Sequence, residues 1–166
     1  MKDTQQQTAE PGAGKLDALK EKAPAGRIEN TLTQIEKVVM LKTAGIFTKT
    51  PNNILTVVAD YTDEIFLDCG KTLFEKGDVG TTMYIIVSGK VRVHHGGRTI
   101  AELGESDLIG ELAALSSEPR TASITALSDV RLLSLDQSSL YELMWDQNEV
   151  AKGIIQVLIQ RLRSLI

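Results

Sequence analysis

The sequence predicts an α+β protein that is mainly β: an antiparallel roll, barrel or sandwich with helices at both ends. Two observations carry this expectation. Across 61–135 apolar residues fall in short runs at the alternating spacing of strands, and glycine-rich turns divide the runs at close intervals. Before and after that region the apolar period lengthens to that of helices.

Size and composition agree with one globular domain plus a tail: 166 residues, 42% apolar and 24% charged. The expected boundaries are a flexible tail or linker over 1–29 and a folded domain over 30–166, the latter divided at 60/61 and 135/136. The first stretch carries Pro11, Gly12, Gly14, Pro24 and Gly26 and no repeating apolar face.

From Leu32 the apolar residues Ile35, Val38, Val39 and Leu41 fall near helical spacing. The segment 43–50 reads as a tight helical connection, and Pro51 opens a second short helix that buries Ile54, Val57 and Val58. Ile65, Leu67 and Cys69 then alternate with polar or exposed positions, which predicts a strand with one face inward and Cys69 as a small buried hydrophobe. Further strands are expected over 72–74, 83–87, 91–95, 99–103, 123–127 and 130–135. Turn chemistry separates them at Gly77–Gly80, Gly89, Gly96-Gly97 and Gly104. After Leu135, Asp136 is the expected N-cap of one helix and Asn148 that of a longer one. In the longer helix Val150, Ile154, Val157, Leu158 and Leu165 mark one face, and Ala151, Ile155, Ile159, Leu162 and Ile166 an adjacent one. So wide a stripe exceeds one packing surface and predicts a second occupant, a ligand or another copy of the chain.

The chemistry concentrates in 109–123, which interrupts the strands. Gly110 permits close backbone approach, and the residues after it form one helical turn whose free N–H groups converge on a point. Nine residues after Glu111 comes Arg120, whose planar fork suits a phosphate. One carboxylate and one guanidinium on a common pocket make a poor catalytic pair and a good binding pair. The guanidinium and the N–H groups neutralise a phosphate while Glu111 accepts from a sugar hydroxyl.

Gly110-Glu111-Leu112-Ala113 followed by Pro119-Arg120-Thr121-Ala122-Ser123 resembles the phosphate-binding cassette of cyclic-nucleotide-binding domains. The nine-residue step resembles that of the kinase A regulatory-subunit and gated-channel branches; the catabolite activator protein belongs to the same family. Residues 74–80 and 83–91 resemble the family's glycine-turned second to fourth strands. The resemblance implies a jelly-roll-like β-roll with N-terminal helices, a short cassette helix and a C-terminal hinge-and-lid pair. It implies cAMP or cGMP as ligand, with cAMP ahead. Glu111 would bind the ribose 2′-hydroxyl and Arg120 the cyclic phosphate, assisted by the N–H groups of Leu112 and Ala113. Thr121, with Ala122 beside it, would lie near the phosphate and the purine edge, and Arg161 would approach the purine. Ile109 departs from the family's usual Phe, Thr121 from the Ala of many cAMP-binding members, and 150–166 holds no aromatic residue to cap the base.

Other readings are weaker. His94 and His95 are adjacent, so on a strand they point to opposite faces, and without a third ligand no metal is expected. Tyr141 and Trp145 read as core or hinge packing. Glu111 and Arg120 have a bland alternative, a structural salt bridge. The net charge of −4 argues against a nucleic-acid footprint, and a recognition helix beyond the lid would be needed for a catabolite-activator type of regulator. One cysteine, no signal-like N-terminus and no membrane-length apolar run lead to the expectation of a cytoplasmic protein without direct membrane contact. No constellation for nucleophilic catalysis is present, so the expectation is a sensor rather than an enzyme. A second hypothesis keeps the roll but pairs two copies through the C-terminal helix, with nucleotide binding weak or absent. If the sequence is a fragment, a covalently linked effector domain is the further expected partner.

Overall fold

The computed structural model describes residues 31–166, so the expected tail over 1–29 lies outside the described residues. Helix α1 (Gln34–Thr43) opens on a capping box: the Thr33 hydroxyl accepts from the Glu36 N–H, and the Glu36 carboxylate accepts from the Thr33 N–H. A single 3-10 turn, Gly45–Phe47, fills the tight connection and leads to α2 (Asn52–Asp60). Ile54 and Val58 of α2 are buried as expected, whereas Val57 lies on its outer side.

Eight strands follow: β1 (Asp63–Leu67), β2 (Thr72–Phe74), β3 (Thr82–Ser88), β4 (Val91–His95), β5 (Arg98–Leu103), β6 (Leu108–Ile109), β7 (Ser123–Ala126) and β8 (Val130–Asp136). They form two four-stranded sheets, β1-β8-β3-β6 and β2-β7-β4-β5, in which every pairing is antiparallel. Between β6 and β7 sits the short helix α3 (Glu111–Ser116), and after β8 come α4 (Gln137–Asp146) and α5 (Asn148–Ser164).

The apolar run of β3 explains how these layers stack. Tyr84 and Ile86 point into the space between the sheets, with Ile65, Phe74, Val91, Ile124 and Leu132. Met83, Ile85 and Val87 point the other way and meet Leu41, Phe47, Leu55 and Leu140 of the helical layer. A strand covered on both faces carries no polar alternation, which is why 83–87 is uniformly apolar.

Three more local expectations are corrected. The strand ends at Leu67, and Gly70, at φ +82°, turns the chain away, leaving Cys69 exposed with its N–H on the Asp129 carboxylate. Trp145 is 88% exposed, because Leu143, two residues earlier, already faces the core and two helical positions lie on opposite sides. Asn148 is the first residue of α5 rather than its cap; only Gln147 separates α5 from α4, and it makes no capping bond. The two-residue strand β6 was not expected. Asp136, by contrast, caps α4 through a 2.8 Å bond from the Ser139 N–H.

Helix α5 is seated at both ends. Near its start, a Cβ on Gly153 would fall 1.8 Å from the Ile46 carbonyl oxygen, so only glycine lets the helix approach the 3-10 turn this closely. Val150 and Ile154 are buried against the same layer and Val157 and Leu158 are partly buried. Leu165, expected on that face, is exposed, as are Ile155, Ile159, Leu162 and Ile166 on the adjacent one.

Candidate functional site: a cavity beneath the last helix

Strand β6 delivers the chain to Gly110, which turns it at φ +75° into α3. The hairpin between β2 and β3 grips the far end of this excursion. The Arg120 N–H donates to the Asp78 carbonyl at 2.9 Å, and the Gly77 N–H donates to the Arg120 carbonyl at 2.8 Å. Two anchored ends thus hold α3 and the loop after it against the roll.

The Arg120 side chain runs inward and is only 5% exposed. Its Nη2 donates to the Thr82 carbonyl at 2.8 Å, its Nη1 to the Gly110 carbonyl at 3.3 Å, and its plane lies 4.1 Å over the Phe74 ring. A Cβ at Gly110 would stand 2.4 Å from Nη1, and one at Gly80 would stand 2.9 Å from Nη2. The two glycines therefore leave the space the guanidinium fills. Burial pulls the guanidinium below its ordinary range, with Tyr84 and Asp78 opposing that pull. Its Nε is buried and has no hydrogen-bond partner. A buried charged donor left open is costly unless something comes to meet it.

Glu111, 8% exposed, does not pair with Arg120. Its Oε1 accepts instead from Arg161 of α5, which brings the last helix over the cassette. The structural salt bridge considered between Glu111 and Arg120 is therefore absent among the described residues. All of the residues singled out from sequence, Gly110, Glu111, Leu112, Ala113, Arg120, Thr121, Ala122 and Arg161, line one cavity of about 370 Å³. Phe74, Val93, Ala101, Leu103 and Ile124 are among its apolar lining residues. Sequence reasoning missed three contributors. Phe74 and Gly80 were read as strand and turn, and the Thr82 carbonyl carries no side-chain signal at all. No group of three or more His, Cys, Asp and Glu is placed to hold a metal among the described residues.

A buried guanidinium, a glycine-started helical turn and an apolar shelf meet at one cavity, the arrangement of a binding module. Comparison with known proteins makes that class specific. The cyclic nucleotide-binding domain family matches residues 64–147, half of the sequence, and the chain belongs to that family. It is 33% identical over 129 residues to the CRP-like cAMP-activated global transcriptional regulator of Mycobacterium tuberculosis, covering 75% of this chain and 58% of that protein. It is 39% identical over 100 residues to the Cyclic AMP receptor protein of Thermus thermophilus, covering 57% and 46% respectively. The N-terminal domain of a transcriptional regulator from Streptomyces coelicolor superposes with a TM-score of 0.67 at 34% identity, over 76% of this chain and 92% of that one. The chain spans about half the length of the two curated relatives. Among the described residues, no helix is long and apolar enough to cross a membrane.

Proposed function

We propose that this chain is a cAMP sensor, a binding module rather than an enzyme, that reports occupancy through the position of α5. The observation that carries the reading is the convergence of Arg120, Glu111 and the start of α3 on one cavity of about 370 Å³ with an apolar wall. The phosphate of a cyclic nucleotide is the anion that the guanidinium would neutralise from the cavity wall. The N–H groups at the start of α3 add to the same charge. Glu111 engages Arg161 through Oε1 and offers Oε2 to a ribose hydroxyl, so a ligand and the last helix are held by one carboxylate. The apolar residues Val93, Ala101 and Leu103 accept the purine. The preference for cAMP is supported by the two relatives whose names specify it.

Transmission rests on what α5 touches. It bears on the 3-10 turn at Gly153 and on the cassette at Arg161, so a ligand that alters the cassette alters the balance between seated and lifted α5. Both relatives, one a transcriptional regulator and the other a receptor protein by name, are about twice as long as the matched region, which supports an effector domain as the recipient of the signal.

Isothermal titration with cAMP and, separately, cGMP tests the reading. Saturable binding with cAMP the tighter is expected; no heat and no thermal stabilisation from either at millimolar concentration would refute it. A second reading, pairing of two copies through α5, is favoured by the exposed Ile155, Ile159, Leu162 and Ile166, which repeat at steps of four, three and four. A monomer by sedimentation with and without nucleotide would exclude it.

A further inference from the structure

The paired histidines at the end of β4 have no part in the reading above, yet the fold gives each a definite task. Alternation along β4 puts His95 on the side of Val91 and Val93, and Val93 lines the cavity. His94 faces the opposite side. There its Nδ1 meets the Gly96 carbonyl at 2.7 Å, and its Nε2 meets the Thr125 hydroxyl at 2.8 Å. A carbonyl only accepts, so the neutral ring carries its proton on Nδ1, and the Thr125 hydroxyl donates to Nε2. Thr72 then donates to Thr125 at 2.9 Å, which completes a directed chain from β2 to the hairpin turn. His94 thus braces the turn at Gly96.

His95 carries the opposite tautomer. Its Nε2 lies 2.9 Å from the Thr121 carbonyl and must donate to it. The position of this bond is informative. The ladder between β4 and β7 ends at His94 opposite Ser123, so the backbone two residues further up the cassette has no strand partner on that side. The other edge of the same stretch is held by the β2–β3 hairpin, where the Lys76 N–H donates to the Ser123 hydroxyl and Gly77 and Asp78 bond Arg120. The His95 ring extends the ladder with a side chain where backbone pairing has stopped.

Thr121 and Ala122 share the peptide whose carbonyl His95 holds, and both line the cavity. Because a peptide is planar, fixing its carbonyl fixes the whole unit. We propose that His95 is a positioning residue of the nucleotide site: it sets the Thr121–Ala122 peptide, and with it the wall that follows Arg120, from the outer rim of the cavity. This rests on the nucleotide-binding reading.

Asparagine and glutamine separate this role from simple bulk. The Gln amide nitrogen is as many bonds from the backbone as imidazole Nε2, whereas that of Asn is one bond short. His95→Gln is expected to bind cAMP within about twofold of the unaltered chain, and His95→Asn and His95→Ala roughly fivefold to tenfold more weakly, the net worth of one hydrogen bond. Thermal unfolding, run alongside, should be alike for Gln and Asn. Nitrogen NMR of the free protein should find His95 protonated at Nε2, with the Thr121 and Ala122 amide signals displaced in His95→Asn but not in His95→Gln. Equal affinity of all three variants and the unaltered chain, or equal weakness of Gln and Asn, overturns the proposal, as does a neutral His95 protonated at Nδ1. An unaltered chain that binds neither nucleotide sinks the functional reading itself; binding that is indifferent to His95 sinks only this role.

Discussion

Replacing Arg120 by methionine should abolish nucleotide binding while leaving the domain folded, because folding and binding weigh the buried guanidinium with opposite signs. For folding, enclosing a cation costs several kcal/mol even after relaxation. Against that stand two hydrogen bonds, to the Thr82 and Gly110 carbonyls, each worth about 1.5–3 kcal/mol because the donor is charged. The stack on Phe74 adds roughly 0.5–2 kcal/mol. The open Nε subtracts about 1–3 kcal/mol. The terms nearly cancel, so an apolar side chain of similar length should shift stability by no more than about 2 kcal/mol in either direction. For binding, on the proposed function, the cation meets the phosphate, and removing one partner of a buried charge pair costs about 3–5 kcal/mol. That corresponds to roughly two to three and a half orders of magnitude in the dissociation constant. Titration calorimetry with cAMP and a thermal melt of the same preparation read both quantities. A variant that binds within about tenfold of the original would remove Arg120 from the site. One that unfolds in parallel with its loss of binding would show the arginine to be a structural strut.

Three further outcomes follow from the same geometry. Gly153→Ala should lower the melting temperature strongly, since its Cβ would collide with the Ile46 carbonyl oxygen, whereas Gly45→Ala, whose Cβ meets Val157 at an ordinary 3.5 Å, should shift it far less; comparable melts would refute the close seat. Arg161→Ala should leave the melt nearly unchanged, because that side chain is about half exposed, but should quicken cAMP release several-fold in stopped-flow displacement as α5 loses its hold on Glu111; an unchanged release rate would count against the lid. Burial raises the Tyr84 hydroxyl to about 12, an effect that Arg120 partly offsets. Its unfolded value is near 10, so its contribution to stability is whole below about pH 10 and declines as pH rises toward 12. Denaturant unfolding across that range should show a gentler alkaline decline in Tyr84→Phe, and an identical decline would place the effect elsewhere.

What could be read from sequence divides along a physical line. The strands and their turns were legible because alternation and glycine are local signals; that β3 is covered on both faces emerges only from the two layers packed against it. The cassette was legible because Gly110, Glu111 and Arg120 lie within eleven residues and their chemistry points to one ligand class. Gly153 was not singled out, since a glycine within a helix is explained only by what packs against it, here a carbonyl more than a hundred residues away in sequence. The pairing of β6 likewise exists only because β3 lies beside it. Trp145 misled because helical spacing from Tyr141 says nothing about which face turns inward; that is settled by Leu140 and Leu143.

The same division explains why the sequence located Glu111 and Arg120 but left their mutual relation open. A salt bridge between them would have made the cavity self-satisfied, and the pocket would have needed no ligand. The fold separates them instead. Thr82 and Gly110 take two of the Arg120 donors and leave Nε open, while α5 reaches across with Arg161 for Glu111. The carboxylate thus links the wall of the cavity to the helix above it. On the proposed function, one charge serves the ligand and the other holds the last helix, which would make binding and signalling adjacent but separable. Substitution at Arg120 should therefore act chiefly on affinity, and substitution at Arg161 chiefly on how long the occupied state lasts.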